Sequence, residues 1–271
     1  MQAQPQPAHT TAPSAAAWLD MLQASGRVAF STDQAQAALG TSAEATQAAL
    51  RRLKARGKLA VPMRGFHVIV PPEYRALGCR PAEQFVPELM DHLEQPWHVG
   101  LLSAAALHGA AHQVPQHLQV VVALARRAIV CGGVQVDFVV RHDVAQTPTL
   151  QRNTATGVLS VATPEATAFE LVAYPERCGY LSNVAAVLRD LAERLNGTLL
   201  RAEARRVPLA WVQRLGFLLE LAEAAELAEP LQELVGPRAL VVPLATWQPM
   251  TGAPRDARWR LALNEQVEVD Q

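Results

Sequence analysis

The chain has 271 residues, half of them apolar and 18% charged, which excludes a wholly disordered polypeptide and suits about two domains. Its net charge of −1 conceals an asymmetry: the first 80 residues hold nine Lys/Arg against four Asp/Glu, a net of +5, which leaves −6 for the remainder. A basic first segment on a near-neutral chain implies an anionic partner for that segment or a solvated basic face, and charge alone does not choose between them.

Residues 1–13, rich in Gln, Pro, Ala and Thr, read as a flexible tail. They lack the basic start and apolar core of a secretory signal, and no apolar run approaches the roughly 18 residues that span a bilayer. Three cysteines, Cys79, Cys131 and Cys178, lie far apart with no CxxC pair. That argues against a disulfide framework or a zinc site and suits a reducing cytoplasm.

The spacing predicts a helix over Ser14–Ala24, with Trp18, Leu19 and Leu22 on one face and Ser14 as cap. After Gly26 and the extended piece Arg27–Phe30, Ser31 or Thr32 caps a short second helix that Gly40 closes. Thr41-Ser42 is a further cap signal, opening a helix to Arg56 that ends at Gly57. Two helices joined by a tight turn containing Gly have helix-turn-helix spacing.

The third helix divides its faces. Thr46, Ala49, Leu50 and Leu53 fall on one side, while Glu44, Gln47, Ala48 and Arg51 fall opposite, flanked by Arg52 and Lys54. Gln pairs with adenine and Arg with guanine or phosphate, so this is a face suited to the major groove. Lys58–Val61 and Phe66–Val70 then read as a hairpin around a Pro62–Gly65 turn, the wing of a winged helix with Arg64 at its tip beside the phosphates. The candidate DNA-binding residues are Thr41, Ser42, Gln47, Arg51, Arg52, Lys54, Arg56, Lys58 and Arg64. A protein-docking module of the same shape is the alternative.

Beyond this domain (14–72) the pattern is a larger mixed α/β domain (80–271) with a helical C-terminal part, an α+β chain overall. Helices are predicted over Arg80–Leu93, within Trp97–Pro115, from Thr163 to Pro175, and over Ser182–Asn196, Leu199–Arg206 and Leu209–Leu227. Strands are predicted at Gln119–Leu124, Val134–Val140 and Ser160–Ala162, with extended segments at Ala239–Val242 and Trp259–Leu263.

His108 and His112 stand four apart, but Gly109 occupies the position where a zincin has Glu, so no metal site is assigned. A histidine among small residues bonds a backbone carbonyl instead. A nucleic-acid-processing enzyme with a nuclease-like C-terminal domain is a further alternative, resting on Asp137 on a strand before Arg141 with the histidines and arginines, but it lacks the further carboxylates that chemistry needs; pairing of Asp137 with Arg141 or another base is the plainer reading. Arg126, Arg127, Arg141, Arg152, Arg201, Arg205 and Arg206 form a candidate second basic surface for nucleic acid, or are simply solvated.

The winged-helix pattern, VGLLSAAALHGAAHQVPQ (residues 99–116) and SVATPEATAFELV (residues 160–172) together resemble the AbiEi family, the antitoxins of AbiE type IV toxin–antitoxin systems. The resemblance implies a cytoplasmic, non-enzymatic repressor without cofactor that binds double-stranded DNA at inverted repeats in its own promoter. It implies a nucleotidyltransferase-like toxin, countered without a stable complex. DNA binding would lie in the N-terminal domain, and antitoxicity would need the C-terminal one.

Overall fold

The computed structural model describes residues 13–110 and 115–268; residues 1–12 of the expected tail and His112 lie outside the described residues. The chain folds as two compact units, and the fold is α+β. The first unit runs to Gln95 and adds Arg127–Val136 and Asn153–Val158, while the second takes Pro96–Arg126, Asp137–Arg152 and the chain from Leu159 onward.

In the first unit α1 (Ala15–Ala24) is capped by the Ser14 hydroxyl. Strand β1 (Ala29–Ser31) leads into α2 (Thr32–Leu39), where Ser31 and Gln34 form a reciprocal capping box and left-handed Gly40 ends the helix. Helix α3 (Ala43–Ala55) is capped by Ser42. The hairpin β2 (Leu59–Met63) and β3 (Phe66–Ile69) pairs with β1 in the order β1-β3-β2. Its turn is tighter than the expected Pro62–Gly65: β2 continues through Pro62-Met63, and only Arg64-Gly65 turns, with Gly65 at φ +85°. The extra length is taken up by a register shift between Ala60 and Met63, the kind of bulge that tolerates Pro in a strand.

Trp18, Leu19, Phe30, Leu39, Leu50, Leu53, Leu59 and Ile69 form the core of this unit, with Trp18 edge-on to Phe30 at 4.7 Å. Helix α4 (Ala82–Leu93) belongs to it as well, for Glu88 accepts the Val28 N–H at 3.2 Å and pairs with Arg27. It begins at Ala82 because Pro81 keeps the residue before it out of the helical region, and the Arg80 side chain donates to the Ile69 carbonyl instead.

From Trp97 onward the chain builds a six-stranded sheet, and not all of its strands were expected. The block expected to hold a short helix begins with a strand, β4 (Trp97–Val99), and only then forms α5 (Leu101–Leu107). Aromatic and β-branched side chains suit a strand. β4 pairs antiparallel with β5 (Leu118–Val122) and parallel with β9 (Gly157–Ala162). With β6 (Ile129–Cys131), β7 (Val134–Val140) and β8 (Thr149–Thr154), the sheet order is β6-β7-β5-β4-β9-β8. β6 and β8 were not foreseen.

Helix α6 (Pro164–Ala173) starts as expected, with Thr163 as cap and Pro164 in its first turn. It is buried on every side from Glu165 to Val172, which makes it the centre of the domain. Around it lie α7 (Tyr180–Ala192), α8 (Gly197–Ala204), α9 (Leu209–Leu221) and α10 (Ala225–Gln232). The single helix expected over Leu209–Leu227 is two, broken where Glu223 takes φ +62°. A small sheet closes the chain: β10 (Val242–Pro243), β11 (Arg255–Asp256) and β12 (Leu261–Ala262) in the order β10-β12-β11. Trp259 is fully buried over Gly216, where any Cβ would fall 2.1 Å from the ring. Among the described residues no helix is long and apolar enough to cross a membrane.

Candidate nucleic-acid interface

Helix α3 divides as its sequence pattern demands. Thr46, Leu50 and Leu53 are buried, while Glu44, Gln47, Arg51, Arg52, Lys54 and Arg56 are exposed and Lys58 is half-buried. Gln47, Arg51 and Lys54 meet Arg64 of the hairpin turn around a depression of about 370 Å³ whose floor includes Leu50, Val61 and His67. Arg52, Arg56 and Lys58 do not line it. Nor do the two residues of the preceding turn: Ser42 caps α3, and the Thr41 hydroxyl is bonded to that of Thr46 at 2.8 Å. Among the described residues Arg51, Arg52, Lys54, Arg56, Lys58 and Arg64 enter no ion pair. The one acid of the outward face, Glu44, is held below the usual carboxylate range by a backbone N–H and the Ser42 hydroxyl, so it stays anionic at the positive end of the helix.

His67 is the member of this site that sequence reasoning missed. Its Nε2 lies 2.9 Å from the Thr32 hydroxyl and its ring stacks on Phe30 at 5.3 Å. Burial, and then the charge of Lys54, push its pKa below 6.5, so the imidazole is neutral near pH 7. The unfolded chain takes up a proton near pH 6.5 that the folded one still refuses. The neutral ring therefore stabilises the fold above that pH, and this contribution is lost as pH falls through the lowered folded value. Between pH 7.5 and 5.5 the wild type should lose more unfolding free energy than His67→Gln; equal losses would mean that the ring does not titrate this way.

The seven arginines of the candidate second basic surface stand in different settings. Arg141 is interior: its guanidinium makes two bonds to Asp143, at 2.7 and 3.1 Å, and reaches Glu170 at 3.4 Å. Arg201 is paired with Glu233 and Arg206 with Glu203, Arg152 donates to the Leu107 carbonyl, and Arg126 is half-buried. Arg205 and Arg127 are exposed, but Arg127 groups with the first unit.

The two stretches that carry the family resemblance meet in one buried network. Glu170 of α6 accepts from His98 of β4 at 2.6 Å, from the Leu101 N–H at 3.2 Å and from Arg141. Gly100 is required there, because a Cβ would lie 2.3 Å from the Glu170 carboxylate. His108 bonds the Ala162 carbonyl at 2.8 Å, the carbonyl-bonding role expected of it. Glu165, at 5% exposure, accepts the Asn196 N–H at 3.0 Å and so secures the start of α8 as well as its own helix. Asp137 lies 3.2 Å from His117 rather than beside Arg141, which is engaged by Asp143 and Glu170. Among the described residues no three His, Cys, Asp or Glu gather to hold a metal ion.

The crystal structure of the RV2827C protein from Mycobacterium tuberculosis shares the fold, with a TM-score of 0.65 at 17% identity, over 91% of this chain and 90% of that one. No curated protein sequence matches the chain. The AbiEi antitoxin C-terminal domain matches residues 98–221, a span that begins at His98 and contains the whole Glu170 network. Over that segment, a little under half of its length, the chain is similar to the AbiEi antitoxins.

Proposed function

We propose that the chain is a cytoplasmic, autoregulating repressor as well as an antitoxin, with α3 as a recognition helix and the β2–β3 hairpin as the wing of a winged helix-turn-helix. The observation that carries this reading is the unpaired cationic and amide face of Gln47, Arg51, Lys54 and Arg64 around one depression. An α-helix fits the roughly 12 Å major groove, and a loop carrying one Arg suits the adjoining phosphates. The operator is double-stranded DNA with inverted repeats upstream of the chain's own gene. The functional partner is a nucleotidyltransferase-like toxin, opposed without a stable complex. No catalytic role is assigned to any residue.

A gel shift with the native upstream DNA tests this. The expected result is a preference of about a thousandfold or more over random duplex, steeply weakened by salt. Equal affinity for both DNAs would end the repressor reading.

A further inference from the structure

Behind the hairpin the chain brings two cysteines together across a very tight backbone contact. Gly133 donates to the Leu77 carbonyl at 2.7 Å, and a Cβ on Gly132 would lie 2.2 Å from that same oxygen. A Cβ on Gly78 would lie 3.2 Å from the Gly132 α-carbon. Next to these glycines stand Cys79 and Cys131, both free thiols and both in the first unit, and the close backbone contact brings the two residues together. Cys79 is fully buried; Cys131, on the edge strand β6, is 9% exposed.

The Cys131 sulfur also accepts the N–H of Val61, which lies in the irregular stretch of β2 between Ala60 and Met63, where the ladder register shifts. The hydrogen bond from Cys79, the Val61 N–H and the charge of Lys54 together lower the Cys131 pKa to about 7, while the bond to Cys131 and burial push Cys79 up. The pair therefore has a nucleophilic member at its accessible side and a resolving thiol in contact with it.

We propose that Cys79 and Cys131 are a redox modification site, closing to a reversible disulfide in hydrogen peroxide and loosening the hairpin that carries Arg64. The Cys131 thiolate attacks one peroxide oxygen. The O–O bond breaks, the departing hydroxide takes a proton to become water, and a sulfenic acid remains. The Cys79 sulfur then attacks that sulfur, losing its proton, and the S–O bond breaks to release a second water. Two thiols and one peroxide give one disulfide and two waters. In the disulfide the sulfurs stand about 2.05 Å apart. Drawing Cys131 toward Cys79 removes the acceptor from the Val61 N–H two residues before the end of β2.

The effect on DNA rests on the repressor reading above; the disulfide and its effect on Val61 do not. The full-length protein is titrated with hydrogen peroxide, alkylated under denaturing conditions and mapped by peptide mass. The expected result is a single Cys79–Cys131 cross-link, reversed by dithiothreitol, with buried Cys178 alkylated throughout as the internal control. Cys79→Ser should instead leave a Cys131 sulfenic acid that dimedone traps. Amide exchange at Val61 should quicken in the oxidised wild type. Affinity for the upstream DNA should fall roughly two- to tenfold, the equivalent of one hydrogen bond, and should not fall in oxidised Cys79→Ser. Over-oxidation of Cys131 without a cross-link, or cross-linking to Cys178, would overturn the site. A cross-link that leaves Val61 exchange unchanged would overturn its action on the hairpin. Loss of operator preference with the cross-link intact would count against the repressor reading alone.

Discussion

Glu170→Ala is expected to lower the unfolding free energy by about 3–5 kcal/mol, the penalty for stripping one partner from a buried ion pair. The glutamate is fully buried, and its carboxylate meets His98, the Leu101 N–H and Arg141 within one cluster. Arg141 keeps its two bonds to Asp143 and its place over the Trp211 ring, so the loss should fall in the lower part of that range. Glu170→Gln retains an acceptor of the same shape for the Leu101 N–H and should cost less. Urea unfolding of the three proteins checks the order. If Glu170→Ala cost under about 1 kcal/mol, a typical neutral hydrogen bond, the buried network would not hold the domain together.

Arg51→Ala and Gln47→Ala should each weaken binding to the native upstream DNA by about 1–3 kcal/mol, and should relax preference at the base each one touches. Each of the two is exposed on α3, and neither packs in the core, so folding should be unchanged. Lys54→Ala, by contrast, should weaken binding to all sequences alike and reduce the salt slope by about one, as a phosphate contact does. Competition binding at several salt concentrations separates these outcomes. Uniform, salt-dependent losses for all three substitutions would make α3 a backbone clamp rather than a reader.

Local chemistry was legible in the sequence wherever a few neighbouring residues decide the structure. Ser14, Ser31, Ser42 and Thr163 cap the helices they precede, and Gly40 takes the left-handed turn assigned to it. The outward face of α3 followed from its period. What escaped depends on residues far apart in the chain. His98 and Glu170 are 72 positions apart, so the apolar block around His98 carried no mark that its first three residues are a strand locked to α6. Arg141 read as surface charge because Glu170, the buried carboxylate it reaches, lies 29 positions away on α6. His67 sits in an apolar strand run, and spacing does not tell that Thr32 and Phe30 will enclose it. The cysteines looked unrelated for the same reason: their partnership is made by two glycines in opposed backbones.

The claim that α3 and its hairpin form the DNA-reading face is tested most directly by hydrogen–deuterium exchange of the intact protein with and without the upstream duplex. Slowed exchange should cluster at the start of α3, in the turn before it and at Arg64-Gly65, while the amides of α6 to α10 keep their free-protein rates. Slowing confined to the helical C-terminal part, with α3 unaltered, would contradict the account.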